Sequence, residues 1–348
     1  MVEEKITELD LFQSSNQKII FIENLFPNGG TRQFLKLLRL NNFKNKTTFY
    51  MIRRDFNSIK SVAGFIKDYL YSILHKPENT QIKLIFNPIH LKKNTLYIST
   101  SRRTLDFIID VESPNHIHYF QHIEFWEYLN SDEFMKYCSE SGYPSALFFA
   151  KLFKRENKLL NYNYKNKLPK INNFLTVSEF LSKILENLNK RNITLIKVIP
   201  HITHSNTCSK TYDLLLFYRA SRFKGDDIVI DIINKYSNLY KIAVVAFNNN
   251  INKKITFNKN IFMYVRPSDV ALGELYAKSR LVIHPSLSEG FGSIPQEALE
   301  HDCYVVSSKT GWLIEHESSE KVKIIEKHSF ENYIYEIDKL LKHIDAKN

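Results

Sequence analysis

The most informative stretch of this chain reads His284-Pro-Ser-Leu-Ser-Glu289-Gly-Phe-Gly-Ser-Ile-Pro-Gln-Glu297. It follows an apolar run that predicts a strand ending near His284, and Pro295 is typical of the first turn of a helix, where its missing N–H costs nothing. In an open α/β sheet, ligands bind beyond the carboxyl ends of the strands, beside helix N-termini that stabilise a phosphate. The stretch therefore predicts a strand, a loop and a helix that together form a phosphate-binding site.

Two carboxylates flank the glycine turn of this stretch. Glu289 precedes the turn and Glu297 lies eight residues later inside the predicted helix. Both can accept hydrogen bonds from ligand hydroxyls, and Gly290 and Gly292 let the backbone approach a ligand closely. Taken alone, such a pair is more typical of an ordinary loop with two solvated glutamates, so the functional interpretation needs support from elsewhere in the chain.

Outward from this stretch, short β-rich runs alternate with helical segments over all 348 residues. This alternation predicts parallel sheets built from strand–helix–strand units. We expect an α/β protein with two doubly wound, Rossmann-like domains that face a central cleft. The predicted divisions are an N-terminal domain over 1–168, a second domain over 169–325 and a closing helix within 326–348.

The composition narrows the class of protein. Lysine and arginine exceed aspartate and glutamate by 11. Such a surplus attracts phosphates, but it also fits a general bias of the amino-acid composition that has no binding role. Nucleic-acid binding is disfavoured, because no module of interleaved basic and aromatic residues is present. We expect a cytoplasmic protein, since no run approaches the roughly 20 apolar residues of a membrane span, the N-terminus is polar, and three cysteines are scattered.

The central stretch resembles a known signature. Pro285-Ser286, Glu289-Gly-Phe-Gly292 and Glu297-Ala298 match the Glu-x7-Glu run of the retaining, GT-B-fold glycosyltransferases of family 4, also called group 1. A second run, Arg219-Ala-Ser-Arg-Phe-Lys224-Gly225, resembles the "G-R-x4-K-G" run of the same family. Alone it would indicate a basic solvated turn. The two runs together favour a donor site, because an Arg fork and a Lys point charge suit a leaving diphosphate.

The resemblance implies a role for each matching residue. Glu297 would hold the ribose, Glu289 the sugar hydroxyls near the anomeric centre, and Arg219 with Lys224 the diphosphate. The remaining contacts with the donor would come from two glycine-containing segments: Gly29 and Gly30 in the N-terminal half, and Gly290, Phe291, Gly292, Ser293 and Ile294 in the second half. His122 falls near a family histidine that contacts the donor sugar or the acceptor, and is a candidate proton handler near neutral pH.

A metal site is disfavoured by the spacing of the histidines. His116 and His118 would share one face of a strand, whereas His122 lies beyond it, and no carboxylate spacing completes a metal site. The chain also contains no Asp-x-Asp motif. We therefore expect no cofactor and no metal, with a nucleoside-diphosphate sugar as the co-substrate.

The predicted reaction is a metal-independent, retaining transfer of a sugar to a glycan, a lipid-linked sugar or a protein. The segment from Arg53 to Lys76 is basic and aromatic, and is a candidate for peripheral contact with an anionic membrane. Relatives usually read "A-C-G-x-P-V-V" where this chain has Glu300-His-Asp-Cys-Tyr-Val-Val306, and Trp312 replaces a glycine. These departures keep open the alternative of a catalytically inactive binding or stabilising subunit. A nucleotide-sugar epimerase of the same two-domain architecture is a second alternative.

Overall fold

Strand-forming runs of the sequence become two separate parallel sheets in the computed structural model of the chain. The structure describes residues 17–23, 25, 34–35, 46–52, 59–74, 76–120, 167–187, 192–196, 209–219, 224–247, 255–287 and 289–347. These residues divide into two units, one on each sheet. The predicted α/β class with two parallel sheets is thereby confirmed.

The first sheet has the strand order β3-β2-β1-β4-β5-β6-β7 in the described residues. Its strands are β1 (Gln17–Ile22), β2 (Lys46–Ile52), β3 (Thr80–Ile85), β4 (Thr95–Ser99), β5 (His116–Phe120), β6 (Asn173–Thr176) and β7 (Asn192–Leu195). Its described helices are α1 (Ile59–Leu74), α2 (Arg102–Leu105) and α3 (Glu179–Asn187).

This sheet continues past residue 169, where the sequence predicted the second domain to begin. β6 pairs with β5 in parallel, with Ile117 opposite Asn173 and Phe120 opposite Thr176, and β7 then pairs with β6. The backbone hydrogen bonds of β6 and β7 thus belong to the first unit. The described residues of the second sheet start at Tyr212.

The second sheet has the order β10-β9-β8-β11-β12-β13. Its strands are β8 (Tyr212–Tyr218), β9 (Ile242–Ala246), β10 (Ile261–Val265), β11 (Ser279–His284), β12 (Tyr304–Ser308) and β13 (Val322–Ile325). Its described helices are α4 (Asp226–Tyr236), α5 (Asp269–Ala277), α6 (Ser293–Glu300) and α7 (Phe330–Lys347).

Both faces of the second sheet are covered, as a doubly wound sheet requires. Successive residues of β8 alternate between two apolar layers, because side chains along a strand point to opposite faces. Leu214 and Leu216 belong to the layer that includes α4 and the closing helix α7. Leu215 and Phe217 belong to the layer that includes parts of α5 and α6. The predicted closing helix therefore packs on the second sheet.

Candidate functional site

The second sheet reverses its strand order between the neighbouring strands β8 and β11. The chain adds β9 and β10 beside β8, and β12 and β13 beside β11. Loops that leave the carboxyl ends of two such strands turn to opposite sides, and ligands of open α/β sheets bind in the crevice between them. Arg219 and Lys224 follow β8 and Glu289 follows β11, so the topology brings the two sequence motifs to one crevice.

Lys224, His284 and Glu289 form a single cluster in this crevice. The Lys224 Nζ atom lies 2.8 Å from Glu289 Oε1, and His284 Nε2 lies 3.3 Å from the same oxygen. Burial alone would raise the pKa of Glu289, but the charge of Lys224 and the hydrogen bond with His284 hold that pKa well below its ordinary value. Glu289 is therefore an ionised carboxylate at neutral pH.

His284 is buried at the end of β11 and is neutral at neutral pH. Burial lowers its pKa; the nearby Glu289 carboxylate opposes this effect, whereas the charges of Lys224 and Arg219 add to it. Its second ring nitrogen, Nδ1, lies 3.1 Å from the hydroxyl oxygen of Ser307 on β12. These contacts could not be predicted from the sequence, because they depend on which strands are neighbours.

The segment after β12 braces the loop that contains Glu289. The Glu289 backbone N–H donates to Thr310 Oγ1 at 3.0 Å. Trp312 donates twice, from its backbone N–H to Phe291 O at 2.9 Å and from its indole Nε1 to Gly292 O at 3.1 Å. Trp312, which departs from the family pattern, thus fixes the loop instead of disturbing it.

Two glycines are required by close approaches of the backbone. Gly225 has φ +69°, and a Cβ atom there would lie 2.0 Å from Pro285 O; Gly311 has φ +61°, and a Cβ there would lie 2.0 Å from Phe291 O. Both positions therefore exclude larger residues. The loops after β8 and β11 touch at Gly225, which explains why a glycine follows Lys224.

Helix α6 begins directly after the Glu289 loop. Gly292, with φ +82°, precedes its first residue, and Ser293, Ile294 and Pro295 form its first turn. The N–H groups of a first turn and the helix dipole attract anions. The predicted phosphate contacts at Gly292, Ser293 and Ile294 thus lie at a helix N-terminus beside the cluster of Lys224, His284 and Glu289.

Glu297 lies inside α6 and is buried, with 6% of the residue exposed. Its Oε2 atom accepts a hydrogen bond of 3.0 Å from the Tyr276 hydroxyl. Burial and the charge of Glu297 raise the pKa of Tyr276 well above its ordinary value, so the phenol stays protonated and keeps donating. His301 supports this pair, since its ring stacks on Tyr276 and its Nδ1 lies 2.8 Å from Glu297 O.

Arg219 is held at the end of β8 by two contacts. Its backbone N–H donates to Asp226 Oδ1 at 3.2 Å, and its guanidinium carbon lies 4.5 Å from the ring centroid of Phe247, in the range of a cation–π contact. Phe247 follows β9 and was not identified from the sequence.

Three predicted site residues, Gly29, Gly30 and His122, lie outside the described residues. His116 and His118 do share one face of β5, as predicted, and both contact the Ser99 hydroxyl. In the part of the chain that the structure describes, no group of three or more His, Cys, Asp or Glu side chains could hold a metal ion. Nor is any helix there long and apolar enough to cross a membrane.

Comparison with protein families gives a match in the second unit. The family model of the glycosyl transferases group 1 matches residues 247–347, which include Glu289, Glu297 and helix α6. No curated protein matches the chain significantly.

Comparison with solved structures identifies the fold. The chain resembles HepE of Anabaena, solved with UDP and glucose, with a TM-score of 0.61 at 12% sequence identity. It also resembles sucrose-phosphate synthase of Thermosynechococcus elongatus, with a TM-score of 0.60 at 10% sequence identity. Each of these two matches covers 94% of this chain and 90% of the other chain. WaaG, a glycosyltransferase involved in lipopolysaccharide biosynthesis, gives 0.54 at 11% identity over 93% of this chain and 90% of WaaG. The chain spans about half of TarM, 49% of whose length it covers. The chain thus has the GT-B fold, and the group 1 family model matches residues of its second unit.

Proposed function

We propose that this protein transfers a sugar, with retention of its anomeric configuration, from a nucleoside-diphosphate sugar to a glycan, a lipid-linked sugar or a protein. The observation that carries the proposal is the cluster of Lys224, Glu289 and His284 at the strand-order reversal of the second sheet. It combines a cation and an ionised carboxylate beside a helix N-terminus. A diphosphate and a sugar, joined in one ligand, need this combination.

Lys224 and Arg219 would neutralise the diphosphate as it leaves. An ammonium has three N–H donors, so the contact of Lys224 with Glu289 still allows it to donate to a phosphate oxygen. The first turn of α6 would add backbone N–H donors on the same side. Charge stabilisation of this kind commonly lowers the barrier of an enzymatic reaction more than any other effect, and we propose that it makes a metal ion dispensable.

The two glutamates would bind the two ends of the donor. Glu289, ionised and facing Lys224, would accept hydrogen bonds from the sugar hydroxyls near the anomeric centre. Glu297, oriented by Tyr276, would accept from the ribose hydroxyls. The spacing of eight residues puts one carboxylate in the loop and the other within α6, on either side of the helix N-terminus.

A panel of nucleoside-diphosphate sugars tests this proposal in two steps. We expect one or more to raise the melting temperature, because a ligand that binds only the folded state stabilises it by mass action. With the best donor, Lys224→Ala should lower the transfer rate by about 100-fold or more, far more than the loss of its ion pair with Glu289 lowers the stability. Lys259→Ala, an exposed lysine before the amino end of β10, is the matched control and should leave the rate unchanged.

The products of the same reaction discriminate the alternatives. NMR of the product should show the anomeric configuration of the donor, and the rate should not fall when EDTA is added. An inactive subunit would bind donors without turnover, and an epimerase would convert the donor without any acceptor. If no donor binds at all, the proposal is refuted.

Membrane contact is a separate proposal, which rests on helix α1. Its exposed residues Ile66, Leu70 and Leu74 recur every four positions and form one apolar stripe beside the exposed Lys67. Flotation with anionic vesicles, compared with neutral vesicles, tests it. Equal recovery with both kinds of vesicle would contradict it.

A further inference from the structure

His284 is a polar side chain at the end of a strand whose preceding residues Leu281, Val282 and Ile283 are fully buried and apolar. The residue itself is 4% exposed. A polar group in such a place is costly unless its hydrogen-bonding atoms are satisfied, and here both ring nitrogens have partners. Nε2 lies 3.3 Å from Glu289 Oε1, and Nδ1 lies 3.1 Å from Ser307 Oγ.

These partners select one form of the ring. A neutral imidazole carries one N–H and one acceptor nitrogen. Since an ionised carboxylate can only accept, the nitrogen facing Glu289 must be the one with the hydrogen. Nδ1 is then the acceptor, and the Ser307 hydroxyl is its donor. The same hydroxyl also lies 3.1 Å from the backbone oxygens of His284 and Ser308. These two carbonyl oxygens therefore compete with His284 Nδ1 for the single hydrogen of the hydroxyl.

The contacts of Glu289 show what this arrangement does. Among the described residues, both contacts of its carboxylate, from Lys224 and from His284, fall on Oε1. Two donors on one oxygen fix the rotation of the carboxylate plane. This leaves Oε2 for a hydroxyl of a bound sugar.

We propose that His284 is a positioning residue: its Nε2–H, with the ring held from the other side by the Ser307 hydroxyl, orients Glu289 so that Oε2 faces the sugar of the donor. The inference rests on the proposed function, because it gives Glu289 the sugar as its partner. His284 does not touch the reacting atoms and acts through Glu289. The charged groups around the ring are Glu289, Lys224 and Arg219. Lys224 can remain in contact with Oε1 when His284 is replaced, so the variant loses the orientation of Glu289 but keeps its charge.

Three variants test the proposal by kinetics with the best donor of the panel. His284→Leu, which fills the space without a donor, should lower kcat by about 10- to 100-fold, the worth of one hydrogen bond to a charged group, with KM for the donor changed by less than about threefold. His284→Gln, which can return an N–H to Glu289, should restore kcat to within about fivefold of the wild type. Ser307→Ala should give an intermediate kcat. His328 is a partly buried histidine of the same unit that lies beside Tyr333. His328→Leu is therefore the control, and its kcat and KM should equal those of the wild type.

A measurement without turnover separates this inference from the proposed function. In protein labelled with ¹⁵N-histidine, the ring shifts of His284, assigned with the His284→Gln variant, should report the Nε2–H form at neutral pH. In Ser307→Ala the Nε2–H form should persist, because Glu289 still requires a donor, but the Nδ1 shift should change with the loss of the Ser307 hydrogen bond. If the wild type transfers no sugar, this result still decides the ring form. An Nδ1–H ring in the wild type overturns the inference, as does equal kcat for the Leu and Gln variants. If His284→Leu does not fold, Ser307→Ala and the ring form carry the test.

Discussion

Acid should destabilise the first unit through two buried histidines of β5. His116 Nδ1 lies 2.9 Å from the Val111 carbonyl oxygen and therefore carries the hydrogen. Its Nε2 must then accept from the Ser99 hydroxyl at 2.9 Å, and that oxygen accepts in turn from His118 Nδ1 at 2.7 Å. This chain of hydrogen bonds satisfies both rings in their neutral form, which their burial favours.

The size of the effect follows from the pKa values. Burial, in part opposed by the Val111 hydrogen bond, lowers the pKa of His116 to about 4, and burial together with the neighbouring His116 lowers that of His118 to about 3. Between pH 6.5 and 4 the unfolded chain therefore binds protons that the folded unit does not, so stability falls as the pH falls. Each histidine contributes a slope that approaches 1.4 kcal/mol per pH unit. The full effects are about 3 kcal/mol for His116 and about 5 kcal/mol for His118.

Hydrogen exchange of peptides from β4 and β5, followed in urea, measures the stability of this unit alone. From pH 6 to pH 5 the wild type should lose about 2 kcal/mol from these two groups. His118→Asn keeps an N–H toward Ser99 but cannot titrate, so it should lose only about half as much. The interval from pH 8 to 9 serves as the control, where neither form should show a slope from these rings. Equal slopes for wild type and variant between pH 6 and 5 would refute the neutral, hydrogen-bonded pair.

Two further predictions concern the second unit. Tyr276→Phe removes the hydroxyl that holds Glu297. It should weaken nucleoside-diphosphate binding about tenfold, the cost of one hydrogen bond to a charged group. Calorimetric titration with UDP measures this affinity, and an unchanged affinity would contradict the proposed contact of Glu297 with the ribose. Gly225→Ala places a Cβ atom 2.0 Å from a backbone oxygen at positive φ, and should cost more than about 1 kcal/mol of stability; an unaltered midpoint in urea unfolding would contradict the close approach of the two loops.

Much of the site could be predicted because its parts follow strands. Arg219, Lys224 and Glu289 come after apolar runs, and a parallel sheet puts the carboxyl ends of its strands at one edge. Their meeting was expected because the family resemblance assigns all three to one donor site, and the strand order of the structure brings them together. Tyr276, Ser307 and Thr310 could not be found in this way, because each reaches the site through packing from another element. Nothing in their spacing from Glu289 or Glu297 marks them.

The boundary between the two domains could not be predicted correctly for a related reason. β6 was expected to open the second domain because it follows a Lys- and Asn-rich segment and begins a new strand–helix–strand unit. That local pattern is the same whichever sheet the strand joins. Pairing with β5 decides the matter, through backbone hydrogen bonds between residues about 56 positions apart, such as Ile117 and Asn173. The sequence specifies the strand but not its neighbour.

The departures from the family pattern after Glu297 weigh less against activity than the sequence implied. Asp302 stands where relatives have glycine, and its φ is +59°, so the backbone keeps the left-handed turn that a glycine would adopt. Aspartate tolerates this region better than most residues, and a contact with Lys321 engages its carboxylate. Cys303 is fully buried and donates to the carbonyl oxygen of Tyr276 at 3.1 Å. The altered run thus reaches the residue that orients Glu297, and supports the ribose end of the proposed donor site.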